Sequence, residues 1–184
     1  MTVDDDLKAA GASWKKKDAA ATVRALEDAL MLARTDAPLD IRVAVPINHD
    51  HTGIGLYTPA PRDVVEGRRV RLYVEVANHA LTMLSPGLFH AQLDVSGDFA
   101  FEDPALANDA SGNGGLSGGL TKLAAGVGLG TQSFDTRTPT GVTSFGVEIH
   151  LGDKSPAGTY RVALKVKDAI GNKSASKDVR FVLG

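Results

Sequence analysis

The amino-acid sequence predicts a mainly β protein, an antiparallel sandwich of about seven or eight strands preceded by two helices. Residues 158–184 alternate apolar and polar side chains on both sides of a turn, as in a β-hairpin with one face on a core and the other in water. A second alternating run covers residues 69–76. No helical periodicity separates the predicted strands, so parallel βαβ units are not expected.

Residues 1–37 predict an αα-hairpin. The first helix has apolar residues three and four positions apart on one face, namely Leu7, Ala10 and Trp14. Asp18 is expected to cap a second helix, which Pro38 closes. The apolar stripe of that helix is Val23, Leu26, Leu30 and Ala33.

Residues 16–30 resemble the second half of a tetratricopeptide repeat, with Leu26 and Ala29 at the large and small packing positions of that family. Only one copy is present, and such repeats need neighbours to bury their faces. We therefore interpret the segment as a generic helical hairpin that docks on the sheet or on another molecule.

The remaining strands are predicted within residues 40–184. Alternating apolar residues begin at Ile41, Val70 and Phe145, and a turn near Gly97 is expected to separate two further short strands. Residues 103–130 are rich in glycine and show little periodicity. This segment is predicted to be a long loop at one end of the sandwich.

Composition argues against several classes of function. The formal net charge is −2, from 20 Lys and Arg against 22 Asp and Glu, which gives no reason to expect nucleic acid or an anionic membrane as partner. The absence of cysteine excludes disulfides and thiolate metal sites. No apolar run approaches the roughly 18 residues that a membrane span needs. An exported, periplasmic or cell-surface location is favoured over a cytoplasmic one, and the oligomeric state is left open.

His49 and His51 form the most suggestive pair of metal ligands. Residues two apart in an extended segment point to the same side, so both imidazoles could reach one divalent metal while Asp50 faces away. A complete site needs a third ligand, for which the other histidines are candidates by residue type alone: His79, His90 and His150. Two solvated histidines in a polar connection are the preferred interpretation.

Other chemical motifs are incomplete. Asp109 and Asn113 fit the first half of a calcium loop, but Leu120 stands where a bidentate Glu is required. Ser144 lacks the strand-to-helix elbow of a hydrolase, and spacing assigns it no His or Asp partner. Four carboxylates are expected to face outward from strands, where only a defined separation would make a glycosidase: Glu75, Asp94, Asp98 and Glu148.

Two segments carry a family resemblance. Residues 71–78, Arg-Leu-Tyr-Val-Glu-Val-Ala-Asn, and residues 156–173, which include Pro-Ala-Gly-Thr-Tyr and Asp-Ala-Ile-Gly-Asn, resemble bacterial immunoglobulin-like or fibronectin-III-like domains. In those domains a Pro-x-Gly-x-Tyr strand and an Asp-x-x-Gly-Asn turn build the closing hairpin. The resemblance implies an immunoglobulin-like sandwich over residues 40–184 and no particular activity.

These observations favour a non-catalytic protein-interaction or structural module without a cofactor. A protein partner is expected to contact the hairpin at Trp14, Leu26 and Leu30, or the long loop at Asp109 and Asn113. The alternative is a sandwich that binds a small ligand or one divalent metal through His49 and His51.

Overall fold

The computed structural model of the chain describes residues 2–102, 120–137 and 141–184, and it confirms a mainly β protein with two N-terminal helices. The helices are α1 (Val3–Lys15) and α2 (Ala19–Asp36). The strands are β1 (Asp40–Ile47), β2 (Val64–Val65), β3 (Arg69–Ala77), β4 (Thr82–Ser85), β5 (Leu88–Glu102), β6 (Leu120–Thr136), β7 (Val142–His150), β8 (Gly158–Asp168) and β9 (Lys173–Leu183). A short 3₁₀ helix, Pro61–Asp63, precedes β2.

Both helices begin at side-chain caps. The Thr2 hydroxyl accepts a hydrogen bond from the backbone N–H of Asp5, whose carboxylate accepts one from the backbone N–H of Thr2. This reciprocal arrangement is a capping box, which satisfies two N–H groups that the helix leaves unpaired. Asp18 caps α2 by accepting from the N–H of Ala21, as the sequence predicts.

The strands form two sheets. The first has the order β1-β3-β7 and is antiparallel throughout. The second has the order β2-β9-β8-β5, with β4 and β6 both paired to β5. All pairs in the second sheet are antiparallel except β2 with β9. Register shifts in the β5–β6 ladder mark bulges, which bend a sheet and increase its twist.

Residues of both sheets belong to one hydrophobic core. The first sheet contributes Val70, Leu72, Val74, Phe145 and Val147. The second sheet contributes Leu93, Tyr160, Leu164, Val179 and Phe181, among others. The alternation predicted for residues 158–184 is confirmed, because the apolar positions of β8 and β9 are buried and their neighbours are more exposed.

The predicted loop over residues 103–130 is wrong in its last part. Residues from Leu120 onward form β6, which pairs with β5 from Glu102 back to Phe89. The strand lacks a clear alternation because it is mostly exposed, and Gly126 and Gly130 adopt positive φ beside its bulges. Residues 103–119 lie outside the described residues.

The turn predicted near Gly97 is also wrong, since β5 runs through this position without a break. A Cβ atom at residue 97 would lie 3.0 Å from Val162 Cγ1 and 3.2 Å from Leu129 Cδ1. Glycine at this position therefore reflects the close approach of neighbouring side chains in the core rather than a change of chain direction.

The helical hairpin makes few contacts with the strands and is held to them by polar bonds near its C-terminal end. Lys173 Nζ at the start of β9 donates to the carbonyls of Arg34, at 2.9 Å, and Ala37, at 2.7 Å. Asn78 Nδ2 donates to the Pro38 carbonyl at 3.0 Å. The hairpin is thus attached to the strands mainly through its last turn.

Candidate interaction surface and polar sites

The helical hairpin has large apolar side chains on its surface. Trp14 is 69% exposed and Leu26 is 47% exposed, although both residue types usually lie in a core. The residues that we call the hairpin face are Leu7, Trp14, Val23, Leu26 and Leu30. Contiguous exposed apolar patches on proteins mark interaction sites.

These residues share one side of the hairpin. Most follow by one position a residue that is buried between the helices: Leu7 follows Asp6, Val23 follows Thr22, and Leu30 follows Ala29. One residue turns an α-helix by about 100°. Because α1 and α2 are antiparallel, the side chain that follows a buried residue points to the same side of the hairpin in both helices. The apolar stripes of α1 and α2 therefore form a single surface.

The buried residues of the two helices are small or polar, unlike those of the hairpin face. They are Asp6, Ala10, Thr22 and Ala29. Asp6 Oδ2 has no hydrogen-bond partner among the described residues, and the Thr22 hydroxyl donates to the Asp18 carbonyl at 2.7 Å. The fully buried residues of the hairpin are therefore alanine and polar residues, whereas the residues of the hairpin face are exposed.

Acidic and basic side chains are interspersed along the hairpin. Asp4 to Asp6 precede Lys8, and Lys15 to Lys17 are followed by Asp18, so neither sign dominates. Within the described part of the chain, no helix combines the length and the hydropathy that crossing a bilayer would require.

The segment after β1 carries His49 and His51 across the outer face of the first sheet. The His51 ring meets the Tyr73 ring edge to face, with centroids 5.2 Å apart. Tyr57, from the same segment, stacks on Tyr73 with centroids 4.1 Å apart. Tyr73 is completely buried as a result, although it points away from the core. His49 is exposed.

A hydrogen-bond cluster holds this segment in place. The Tyr73 hydroxyl donates to Glu75 Oε1 in a short bond. The N–H of Gly55 lies 2.8 Å from both of these oxygens. Burial raises the pKa of Tyr73, and the bond to Glu75 raises it further. The Tyr73–Glu75 pair therefore anchors the loop, which is a structural role.

Among the described residues, the predicted metal site at His49 and His51 has no third ligand. No three His, Asp or Glu side chains in the described ranges lie close enough together to hold a metal ion. His150 Nε2 lies 2.6 Å from Glu148 Oε1, and His90 Nδ1 lies 2.7 Å from Asp135 Oδ1. His79 is buried against Phe134. His51 contacts Tyr73 instead of any of these histidines.

The outward carboxylates do not form a glycosidase pair. Glu148 lies opposite Arg71 in the β3–β7 register, and Glu75 lies four residues beyond Arg71. At about 3.4 Å per residue, this places the two residues about 14 Å apart along the sheet. The same spacing separates Asp94 from Asp98 on β5. The two catalytic carboxyl groups of a glycosidase are about 5 to 9.5 Å apart.

Neighbouring cations keep two of these carboxylates ionised. A hydrogen bond from Arg69, at 2.5 Å, lowers the pKa of Glu148, and His150 adds to this effect. A hydrogen bond from Lys165, at 2.6 Å, lowers the pKa of Asp98, with a further contribution from the N–H of Gly126. A general acid needs a raised pKa, so neither group is suited to that role.

Sequence patterns missed one buried acid, Asp168, at the end of β8. It is fully buried and accepts hydrogen bonds from the N–H groups of Ala80, Ile170 and Gly171, at 2.6, 3.0 and 2.9 Å. A Cβ at Gly171 would lie 2.5 Å from Asp168 Oδ2, so only glycine fits there. The predicted turn is confirmed, and Asp168 ties it to the segment after β3.

The predicted interaction residues Asp109 and Asn113 lie outside the described residues, so their role stays a prediction. Trp14, Leu26 and Leu30 all lie on the hairpin face. Neither a protein family nor a curated protein matches the sequence.

One solved structure with weak similarity is that of a family 123 glycoside hydrolase from Clostridium perfringens, studied for glycolipid glycan hydrolysis. The identity is 12% and the TM-score is 0.32, and the match covers 63% of this chain. It covers only 21% of the hydrolase chain. A TM-score this low does not establish a shared fold.

Proposed function

We propose that this protein is a protein-interaction module in which a β-sandwich body presents the helical hairpin to a partner. The observation that carries the proposal is the hairpin face, where Trp14, Leu26 and Leu30 remain exposed although the chain has a well-formed core elsewhere. The interaction requires no catalytic group and no cofactor.

The partner that best fits this surface is an amphipathic helix of another protein. Two antiparallel helices leave a shallow groove between them, and an apolar stripe on a third helix would fill it with anchors at helical spacing. Trp14 would serve as the central anchor, because tryptophan is enriched among the residues that dominate the binding energy of interfaces. Leu26 would contact the same apolar stripe beside it. The mixed charges around the face supply a polar rim and do not favour an anionic membrane.

An immunoglobulin-like identity for the body is part of this proposal. Its support is the pair of mainly antiparallel sheets that contribute to one core and the closing hairpin of β8 and β9, which includes the Asp168 turn. Sandwiches of this kind serve as scaffolds for binding sites on their surfaces. Here the binding element would be the appended hairpin.

Site-specific photo-crosslinking in the native host tests the proposal. Replacing Leu26 with p-benzoylphenylalanine places the probe on the hairpin face, and replacing Arg24 places it on another side of the same helix. We expect a discrete crosslinked species from position 26 and little or none from position 24. Adding Leu30→Asp to the position 26 chain should abolish it.

Equal crosslinking from both positions, or a product that survives Leu30→Asp, would contradict the proposal. Peptide mass spectrometry of the product should identify a helical segment. A product formed by two copies of this chain would replace the heterologous partner with self-association through the same face.

A further inference from the structure

Three side chains on the outer face of the β5–β6 ladder form a Ser-His-Asp arrangement. His90 on β5 lies opposite Asp135 on β6, and Ser133 lies two residues before Asp135 on the same face. His90 Nδ1 is 2.7 Å from Asp135 Oδ1, and His90 Nε2 is 3.4 Å from Ser133 Oγ. The site is on the second sheet and shares no residue with the hairpin face.

The hydrogen bonds specify the protonation of the ring. An ionised Asp135 can only accept, so Nδ1 carries the proton and donates it to the carboxylate. In the neutral ring, Nε2 then has a free lone pair that can accept a hydrogen bond from the Ser133 hydroxyl. The distance of 3.4 Å is long for this bond, as is common for nucleophile and base before a substrate binds.

A cavity lies directly over these groups. Its volume is about 350 Å³, and its lining includes Leu84, His90, Ser133, Phe134 and Asp135. Leu84 is 55% exposed and offers an apolar wall beside the imidazole. Cavities of this size hold small ligands. The nucleophile, the base and an apolar surface thus converge on one open depression.

An amide stands close to the nucleophile. Gln92 is opposite Ser133 in the ladder, and its side chain lies on the same outer face. Side chains that pair in this way have Cβ atoms about 5 Å apart. The Gln92 side chain can therefore donate an N–H toward an oxygen that becomes negatively charged next to Ser133.

We propose that Ser133, His90 and Asp135 form a serine esterase site for small carboxylic esters with an apolar acyl group. Ser133 Oγ attacks the ester carbonyl as its proton passes to His90 Nε2. The carbonyl C–O bond to the alcohol then breaks, and the alcohol leaves with that proton. Water attacks the acyl-serine through the same base, which releases the acid and restores the hydroxyl.

In this reaction Ser133 and His90 are catalytic residues, and Asp135 is a positioning residue that fixes the tautomer of His90. The open cavity excludes little water and lies on a surface of the sheet. The substrate is therefore a short acyl ester that needs no deep pocket. Leu84 would contact the acyl chain.

Covalent labelling of the full chain with a fluorophosphonate tests the site. The probe phosphonylates an activated serine with loss of fluoride, and peptide mass spectrometry locates the adduct. We expect an adduct on Ser133 and turnover of p-nitrophenyl acetate. Ser133→Ala should remove the adduct and reduce turnover to the background rate of p-nitrophenyl acetate hydrolysis. His90→Gln should lower the labelling rate by about 100-fold or more.

Asp135→Asn tests the positioning role. It should lower labelling strongly at neutral pH and change the shape of the pH profile, because an amide donates to Nδ1 and favours the wrong tautomer. Thr131→Val, on the same face of β6, is the matched control and should label at the parent rate. Circular dichroism checks that each variant is folded.

Labelling of Ser133 no faster than that of other exposed serines would overturn the proposal. So would labelling that does not depend on His90, or hydrolysis of p-nitrophenyl acetate by Ser133→Ala at the rate of the parent. These results leave the hairpin proposal untouched, because its crosslinking readout involves none of these residues.

Discussion

In the two-sheet body, large apolar side chains such as Leu164 and Phe181 are fully buried, whereas on the helical hairpin Trp14 and Leu26 remain exposed. The difference arises from what each element packs against. Strands of both sheets contribute to one core, whereas the buried residues of the two helices are small or polar, such as Ala10 and Thr22. Apolar side chains stabilise the body by being buried there, and those of the hairpin stay available to a partner.

The largest effect should come from the body. Leu164→Ala is expected to lower the free energy of unfolding by about 2 to 5 kcal/mol, because it leaves a cavity in the hydrophobic core. Urea unfolding followed by fluorescence or circular dichroism measures the change. A nearly neutral result would mean that β8 does not face a packed core, and the contrast with the hairpin would disappear.

The second-largest effect should come from the buried carboxylate of Asp168. Asp168→Ala removes the acceptor of three backbone N–H groups, so we expect a loss of about 3 kcal/mol in the free energy of unfolding. Asp168→Asn keeps one oxygen for Ile170 and Gly171 but turns an amide donor toward Ala80, so its cost should be smaller. Equal effects from both variants would contradict the assigned roles of the two carboxylate oxygens.

The buried His79 should make the stability of the two-sheet body depend on pH. It is 3% exposed, and burial lowers its pKa, while Asp168 opposes this effect and Arg34 and Lys173 reinforce it. The unfolded chain then binds a proton more readily than the folded one. The contribution of neutral His79 to the free energy of unfolding should therefore be fully present above the ordinary histidine pKa of about 6.5. It should be lost as the pH drops below that value.

His79→Leu should remove this part of the pH dependence. Comparing urea unfolding of parent and variant at about pH 5 and about pH 8 isolates the histidine, because other titrating groups remain in both chains. If the difference in free energy of unfolding between parent and variant is the same at both pH values, the pKa of His79 does not change on unfolding, and this prediction is wrong.

The cap of α1 should have a smaller and more local effect. Thr2→Ala removes one half of the capping box, and we expect a loss of about 1 kcal/mol in the stability of the helix. Amide hydrogen exchange should rise in α1 while exchange in the strands is unchanged. Faster exchange in both regions would mean that hairpin and body unfold together, contrary to the few contacts between them.

The parts of this structure that follow from sequence are those with local causes. The alternation of β8 and β9 and the Asp18 cap of α2 depend on neighbours within a few residues. The strand β6 was missed because it is an exposed strand with bulges, in which no buried face repeats every second residue.

The polar sites depend on contacts between distant parts of the chain. Ala80 and Asp168 are 88 positions apart, and His90 and Ser133 are 43 apart. Only the pairing and register of the strands bring them together. His90 could be noted in the sequence as a histidine, but its two partners could not be assigned from spacing.

The unfolding free energy of the triple variant Trp14→Ala, Leu26→Ala and Leu30→Ala tests the central claim most directly. Because these side chains are exposed and alanine favours helix, we predict a value within about 1 kcal/mol of the parent. A loss comparable to that of Leu164→Ala would show that the hairpin face is buried within the folded chain, and it would contradict the account of that face as a binding surface.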